Sequence, residues 1–158
     1  MPPTVAATVG DVERSTTQQR HIDAPVQVVW DLLGDPNRHS EWWPRMEEAS
    51  CAALEQGCRY RGVVKGLFGG QEHELLLERL DNCREISIYC EGTGVYTRFV
   101  LTEAAGGTFV EGLFGAQPQT IGMKVFTAAN GKRYLQRWLA ESLEALGTAA
   151  EEAAHARA

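Results

Sequence analysis

Apolar positions change period twice along these 158 residues, and each change marks a set of elements. Met1 to Asp11, rich in Pro, Ala, Thr and Val, carries neither a helical nor a strand period. Residues 1–12 are therefore expected to be a disordered tail ahead of a single domain at 13–153. A polar run from Glu13 to Ile22 reads as a first strand. Val26, Val29, Trp30 and Leu33 then recur at three- and four-residue spacing, which lays one apolar face along a helix. Asp23 stands where a capping side chain belongs, Pro25 suits a first turn because no donor is lost there, and Gly34 ends the helix. Asp35-Pro36 repeats the device and starts a short second helix through His39 or Trp42. Pro44 stops it, because the residue before a proline is pushed away from helical angles.

From Arg45 the period becomes two. Arg59 to Lys65, Glu72 to Glu78, Arg84 to Cys90, Val95 to Thr102 and Thr108 to Phe114 alternate apolar and polar side chains. Gly69-Gly70, Asp81-Asn82, Gly92-Thr93-Gly94 and Gly106-Gly107 punctuate them as turns. Connections this short predict an antiparallel meander, and one apolar face predicts a sheet that covers something on one side only. The last segment returns to a helical period. Ile121, Val125, Ala128, Leu135, Trp138, Leu139, Leu143 and Leu146 form a stripe, interrupted at Asn130-Gly131, and the Ala/Glu tail after Gly147 is expected to fray.

The composition, 44% hydrophobic and 23% charged, is that of an ordinary globular domain. A net charge of −6 with scattered basic residues argues against a nucleic-acid partner, which needs a concentrated basic surface. Cys51, Cys58, Cys83 and Cys90 lack metal-ligand spacing and read as reduced, small apolar residues in strands. No apolar run approaches a membrane span, and no charged start precedes an apolar signal region. A cytoplasmic protein without stable membrane insertion, monomeric or homodimeric, with no metal and no cofactor, is the expectation.

Strand, two short helices, meander and long amphipathic helix is the order of the helix-grip fold. Ile22-Asp23-Ala24-Pro25, Val29-Trp30-Asp31-Leu32-Leu33, Asp35-Pro36 and Glu41-Trp42-Trp43-Pro44 carry a closer likeness, joined by Gly57 with Arg59-Tyr60-Arg61-Gly62 and by Gly106-Gly107-Thr108. On these residues the chain resembles the SRPBCC (START-like) superfamily, in its polyketide cyclase/dehydrase and lipid-transport branch. The resemblance implies an α+β helix-grip fold: a curved antiparallel sheet wrapped around a long C-terminal helix, with two short helices after the first strand. It says little of function, since members transport lipids, bind hormones, cyclise polyketides or assist other proteins.

A bent sheet cannot lie flat on one helix, so space remains between them for side chains or a ligand. By parity the inward positions are Tyr60, Gly62 and Val64; His73, Leu75 and Leu77; Ile86 and Ile88; Thr97, Phe99 and Leu101. Ile121, Val125 and Ala129 stand near the expected mouth. A mostly apolar set with a few polar atoms is the usual make-up of a small-molecule pocket. A ligand burying about 300 Å² of apolar surface gains roughly 7 kcal/mol before association costs. Trp42 and Trp43 either rim this space or pack the short helices on the sheet. Leu67 and Phe68 are either a lid or a hairpin tip.

No nucleophile elbow, phosphate loop or HExxH is present. Tyr60 and His73 are the inward titratable pair on neighbouring strands, the candidates for acid–base work in a cyclase or dehydratase. Three classes stay open: a carrier or sensor of a hydrophobic small molecule, lipid or polyketide-like; a polyketide cyclase/dehydratase-type enzyme; and a protein-interaction or co-chaperone module. The first predicts a cavity lined almost wholly by apolar atoms and open at the Leu67-Phe68 loop. The second predicts two or more inward polar residues converging on one spot in a roomy cavity. The third predicts a cavity filled by the chain's own side chains, with an exposed apolar patch instead.

Overall fold

A computed structural model of the chain describes residues 15–66, 69–117 and 131–157. Strand β1 (Ser15–Ile22) is followed by helix α1 (Val26–Leu33), a 3-10 turn (Pro36–Arg38) and helix α2 (His39–Trp42). Then come β2 (Met46–Ser50), β3 (Arg59–Gly66), β4 (Gly69–Asp81), β5 (Glu85–Cys90), β6 (Val95–Ala104) and β7 (Gly107–Ala116), and finally helix α3 (Lys132–Arg157). All strand pairs are antiparallel, in the order β1-β7-β6-β5-β4-β3-β2. This is the α+β helix-grip arrangement, a curved sheet with a long C-terminal helix and two short helices after the first strand. Because β1 and β2 are the two edges, α1 and α2 must carry the chain across the whole sheet. At about 4.8 Å per strand that is nearly 30 Å if the sheet were flat.

The alternation fixes which side chains meet. Leu77, Ile88, Thr97, Phe114 and Thr16 face one another in one row across β4, β5, β6, β7 and β1. The adjacent row is Leu80, Ile86, Phe99, Gly112 and Gln18. Helix α3 lies against β1 and β7 and against α1 and α2. Gly112 permits this, because a Cβ there would stand 2.6 Å from Leu139 Cδ1. Gly34 has a similar role for α1, where a Cβ would meet the Trp30 indole at 2.3 Å.

Between helices and sheet lies an aromatic cluster centred on Trp43. Its ring stacks on Trp42 and Trp138, at 5.4 Å and 5.9 Å, and meets Phe99 edge-on at 5.6 Å. Phe114 packs edge-on against both Phe99 and Trp138. Each indole nitrogen finds an acceptor: Trp42 on Leu32 O, Trp43 on Ser142 Oγ, Trp138 on Pro44 O. His39 lies fully buried beside them, its Nε2–H donating to Leu33 O at 2.7 Å, since a carbonyl can only accept.

Four expectations need correction. Asp23 does not cap α1: Pro25 holds the cap position without a side-chain bond, its carbonyl accepts from Val28 and Val29, and the Asp23 backbone N–H donates to Glu151. Asp35 does cap the second turn, accepting from the Asn37 N–H at 3.0 Å. The Ala/Glu tail does not fray; α3 runs on to Arg157, Ala150 is fully buried, and Arg157 pairs with Asp31 at 3.1 Å. High alanine propensity and small side chains that fit against α1 explain the continuation. Of the cysteines only Cys90 lies in a strand; Cys51 and Cys58 flank the β2–β3 connection, and Cys83 sits in a turn at φ 59°. The outer face is not wholly polar either. Leu76 and Tyr96 are buried there, Tyr96 over Gly115, and Glu85 is held between Arg79 and Arg98.

His39 makes this core sensitive to acid. Burial pushes its pKa from 6.5 down to about 4, against the opposing hydrogen bond to Leu33 and the charge of Asp35. Between those two pH values the unfolded chain takes up a proton that the folded chain does not. Stability is therefore complete above pH 6.5 and falls by about 3 kcal/mol on the way to pH 4, with no further loss from this group below. His39→Gln keeps a donor for Leu33 O and removes the titration. Urea unfolding at stepped pH is expected to show the wild type losing its advantage over this variant as pH falls. Parallel curves from pH 7 to 4 would mean that His39 takes up its proton inside the fold.

Candidate functional site

The inner faces of β3, β4, β5 and β6 carry the residues expected at the site. Tyr60, Leu75 and Cys90 form one row across β3, β4 and β5. The next row holds Leu77, Ile88 and Thr97, and beyond it stand Phe99 and then Leu101. All eight are buried, and Val64 is half-buried. Their alternation with Arg59, Arg61, Glu72 and Glu74, which stand out in solvent as Arg–Glu pairs, is why the strands turn this face inward. Leu67, Phe68, Ile121, Val125 and Ala129 lie outside the described residues.

Two polar atoms interrupt the apolar face. Tyr60 OH and Thr97 Oγ1 are buried and have no hydrogen-bond partner among the described residues. Burial, with the neighbouring thiols of Cys51, Cys90 and Cys58, raises the Tyr60 pKa well above that of an ordinary phenol. The group is therefore a neutral hydroxyl, ready to donate one hydrogen bond and accept others. An unpaired buried hydroxyl costs about 1–3 kcal/mol, so the site carries that cost twice unless a further group supplies the missing bonds.

His73 is placed differently. It faces Gly62 across β3–β4 while Tyr60 faces Leu75, so the two residues share a face but stand diagonally. Such diagonal positions are about 7–8 Å apart. The His73 imidazole packs over Gly92, is half-buried, and has its pKa lowered by that burial. Tyr60 OH and His73 are not hydrogen-bonded to each other. Trp42 belongs to the aromatic cluster, bonded to Leu32 O and stacked on Trp43.

Arg45 was not among the sequence candidates. It follows Pro44 at φ 74°, a conformation that non-glycine residues rarely adopt and that clusters at functional positions. Its guanidinium lies 4.5 Å from the Tyr134 ring centroid and donates from Nη1 to Tyr134 OH at 3.0 Å, while Nε is buried without a partner among the described residues. The sequence signal was slight: a lone arginine after Trp-Trp-Pro. Among the described residues no group of three or more His, Cys, Asp or Glu could hold a metal, and no helix is long and apolar enough to cross a membrane.

A family model described as polyketide cyclase / dehydrase and lipid transport matches residues 13–151. No curated protein matches the sequence. Among solved structures, the chain is similar to a START superfamily protein from Mycobacterium smegmatis, at 12% identity and TM-score 0.67, covering 92% of this chain and 99% of that one. It is also similar to the di-domain ARO/CYC StfQ of the steffimycin biosynthetic pathway, at 14% identity and TM-score 0.67, over 90% of this chain and 51% of that one. An AHSA1-like protein from Aeromonas hydrophila aligns at 17% identity and TM-score 0.66, over 88% and 93% of the two chains. At such identities the likeness is one of fold.

The unpaired hydroxyls predict an unusual response to mutation. Tyr60→Phe and Thr97→Val each remove a buried polar atom that nothing satisfies, so each is expected to leave stability unchanged or raise it by about 1 kcal/mol. Denaturant unfolding of the purified protein checks this. A loss above about 1 kcal/mol in either variant would show that its hydroxyl is already satisfied.

Proposed function

The chain belongs to the polyketide cyclase / dehydrase and lipid transport family, and on that premise we propose that it binds a hydrophobic small molecule as a carrier or sensor. The ligand, lipid or polyketide-like, sits against the inner faces of β3, β4, β5 and β6 on the helix side of the sheet. The observation that carries this reading is the pair of buried, unpartnered hydroxyls on Tyr60 and Thr97 within an apolar face. An apolar surface supplies affinity without direction. Two unsatisfied hydroxyls supply direction, so the ligand carries at least one hydrogen-bonding group as well as an apolar body. Val64, Leu75, Leu77, Ile88, Phe99 and Leu101 contact the apolar body. Leu67, Phe68, Ile121, Val125 and Ala129 complete the site in this reading.

The other classes have less behind them. In a cyclase or dehydratase, Tyr60 and His73 would share the proton transfers. A phenol whose pKa burial has raised is a poor base at neutral pH, and His73 stands diagonally from it. An interaction module needs an exposed apolar patch, and among the described residues Leu54 alone is a large hydrophobic side chain exposed to solvent.

Quenching of tryptophan fluorescence by a hydroxyanthraquinone, with anthracene, which carries no hydrogen-bonding group, as control, tests the reading. Wild-type binding in the micromolar range is expected. Tyr60→Phe and Thr97→Val should each weaken the hydroxylated ligand about 5-fold, worth roughly 1 kcal/mol, and leave the control unchanged. Equal losses for both ligands, or no binding of either, would overturn the assignment.

A further inference from the structure

Three of the four cysteines gather around the Tyr60 phenol, and two of them touch. Cys51 and Cys58 hold their sulfurs 3.6 Å apart at the two ends of the β2–β3 connection. The backbone at each is tied to a different part of the fold, which holds the two Cα positions close enough for the sulfurs to meet. Asn37 clamps Cys51 from both sides, its Oδ1 accepting from the Cys51 N–H at 2.8 Å and its Nδ2 donating to Cys51 O at 3.0 Å. Asn37 is itself fixed by Asp35, the cap of the 3-10 turn. Cys58 is tied to β4 instead: its carbonyl accepts from the Leu77 N–H, and the preceding Gly57 N–H donates to Leu77 O, both at 2.8 Å. The thiols are otherwise weakly engaged, Cys51 donating to Ala53 O at 3.3 Å and Cys58 to Arg59 O at 3.4 Å.

We infer that Cys51 and Cys58 form a reversible disulfide site, closed by exchange with a small-molecule disulfide. Bond formation requires the sulfurs to approach by about 1.5 Å, to the usual 2.05 Å. Residues Ala52 to Gly57 are all exposed and can absorb that movement without uncovering core. The half-buried Cys58 attacks first. Its thiolate displaces one thiolate from the reagent and forms a mixed disulfide on Cys58. Cys51 then attacks the Cys58 sulfur, loses its proton to solvent, and expels the second thiolate. Two thiols of the protein are oxidised, and one disulfide of the reagent is reduced to two thiols. Burial and the contact with the Cys58 sulfur push the Cys51 thiol up to about 11, which suits a resolving group better than a first attacker.

Closure adds a covalent tie between two hydrogen-bonded anchors, Asn37 of the 3-10 turn and Leu77 of β4, beside Tyr60. It constrains the unfolded chain, so the oxidised protein should melt several degrees higher. The inference does not rest on the ligand reading, since it needs only the two sulfurs and their supports.

The full chain treated with oxidised glutathione tests it. Trypsin releases both thiols in one peptide, Met46 to Arg59, which contains no other Lys or Arg before its end. That peptide is expected to be lighter by two hydrogens, in a chain that stays monomolecular on non-reducing gels and reverts with dithiothreitol. Melting of the oxidised protein should rise by several degrees. Cys51→Ser should instead trap a glutathione adduct on Cys58, while Cys58→Ser, which leaves the buried Cys51, should stay largely unmodified at that site. A stable glutathione adduct on wild-type Cys58, oxidation confined to Cys83 or Cys90, or a lower melting temperature after closure would each overturn the inference. The wild-type peptide mass decides the matter even if a serine variant fails to fold.

Discussion

The packing of Trp43 is the contact on which the remaining architecture depends. The chain must cross from one edge of a seven-stranded sheet to the other between β1 and β2, and it does so through two helices too short to be stable alone. Trp43, at the end of that crossing, joins the crossing to the sheet through Phe99 and to α3 through Trp138 and Ser142. Aromatic contacts of this kind are worth about 0.5–1.5 kcal/mol each beyond their buried area. Trp138 returns the link by donating to Pro44 O, so the crossing and α3 hold each other in one orientation.

That orientation decides where a site can be. With α3 seated on β1, β7 and the short helices, the aromatic cluster fills the space at one side of the sheet. The inner faces of β3, β4 and β5 continue the same buried core, and there the side chains become aliphatic or sulfur-bearing, with Tyr60 among them. The chemistry follows from what is missing. No charged side chain faces inward in the row of Tyr60, Leu75 and Cys90 or in that of Leu77, Ile88 and Thr97. Along these rows the polar groups are hydroxyls without charge, so under the proposed function recognition there is by hydrogen bonding and not by charge.

Much of this architecture could be read from period alone. Alternation placed Tyr60, Leu75, Leu77, Ile88, Thr97, Phe99 and Leu101 on one face, and the structure buries each of them. Periodicity works there because a strand has only two faces. It failed where a local choice depended on distant partners. Asp23 had the right chemistry for a cap, but its backbone bonds to Glu151, far along the chain. The tail after Gly147 was expected to fray, yet α1 offers Asp31 to its Arg157 and Ala150 is fully buried. His39 and Arg45 were hidden for the same reason: one histidine or arginine in a short polar stretch says nothing about burial, tautomer or a positive φ.

The register also separates what the family fixes from what it leaves open. Fold similarity at 12–17% identity means that a curved sheet and a gripping helix survive very different sequences. Apolar inward residues serve that fold whether or not a ligand is present, because burial is favourable with any apolar neighbour. Hydroxyls without partners do not serve it; each is a cost to the empty protein. A side chain that weakens the isolated fold, and would strengthen a complex, is the more informative kind. In the proposed reading, Tyr60 and Thr97 are therefore better guides to a ligand than the larger number of leucines and isoleucines around them. A site built to pair a substrate hydroxyl or carbonyl can reject an analogue lacking it far more strongly than an apolar wall can reject a missing methylene. Selectivity in this protein should accordingly follow the position of polar groups on the ligand and depend only weakly on its apolar bulk.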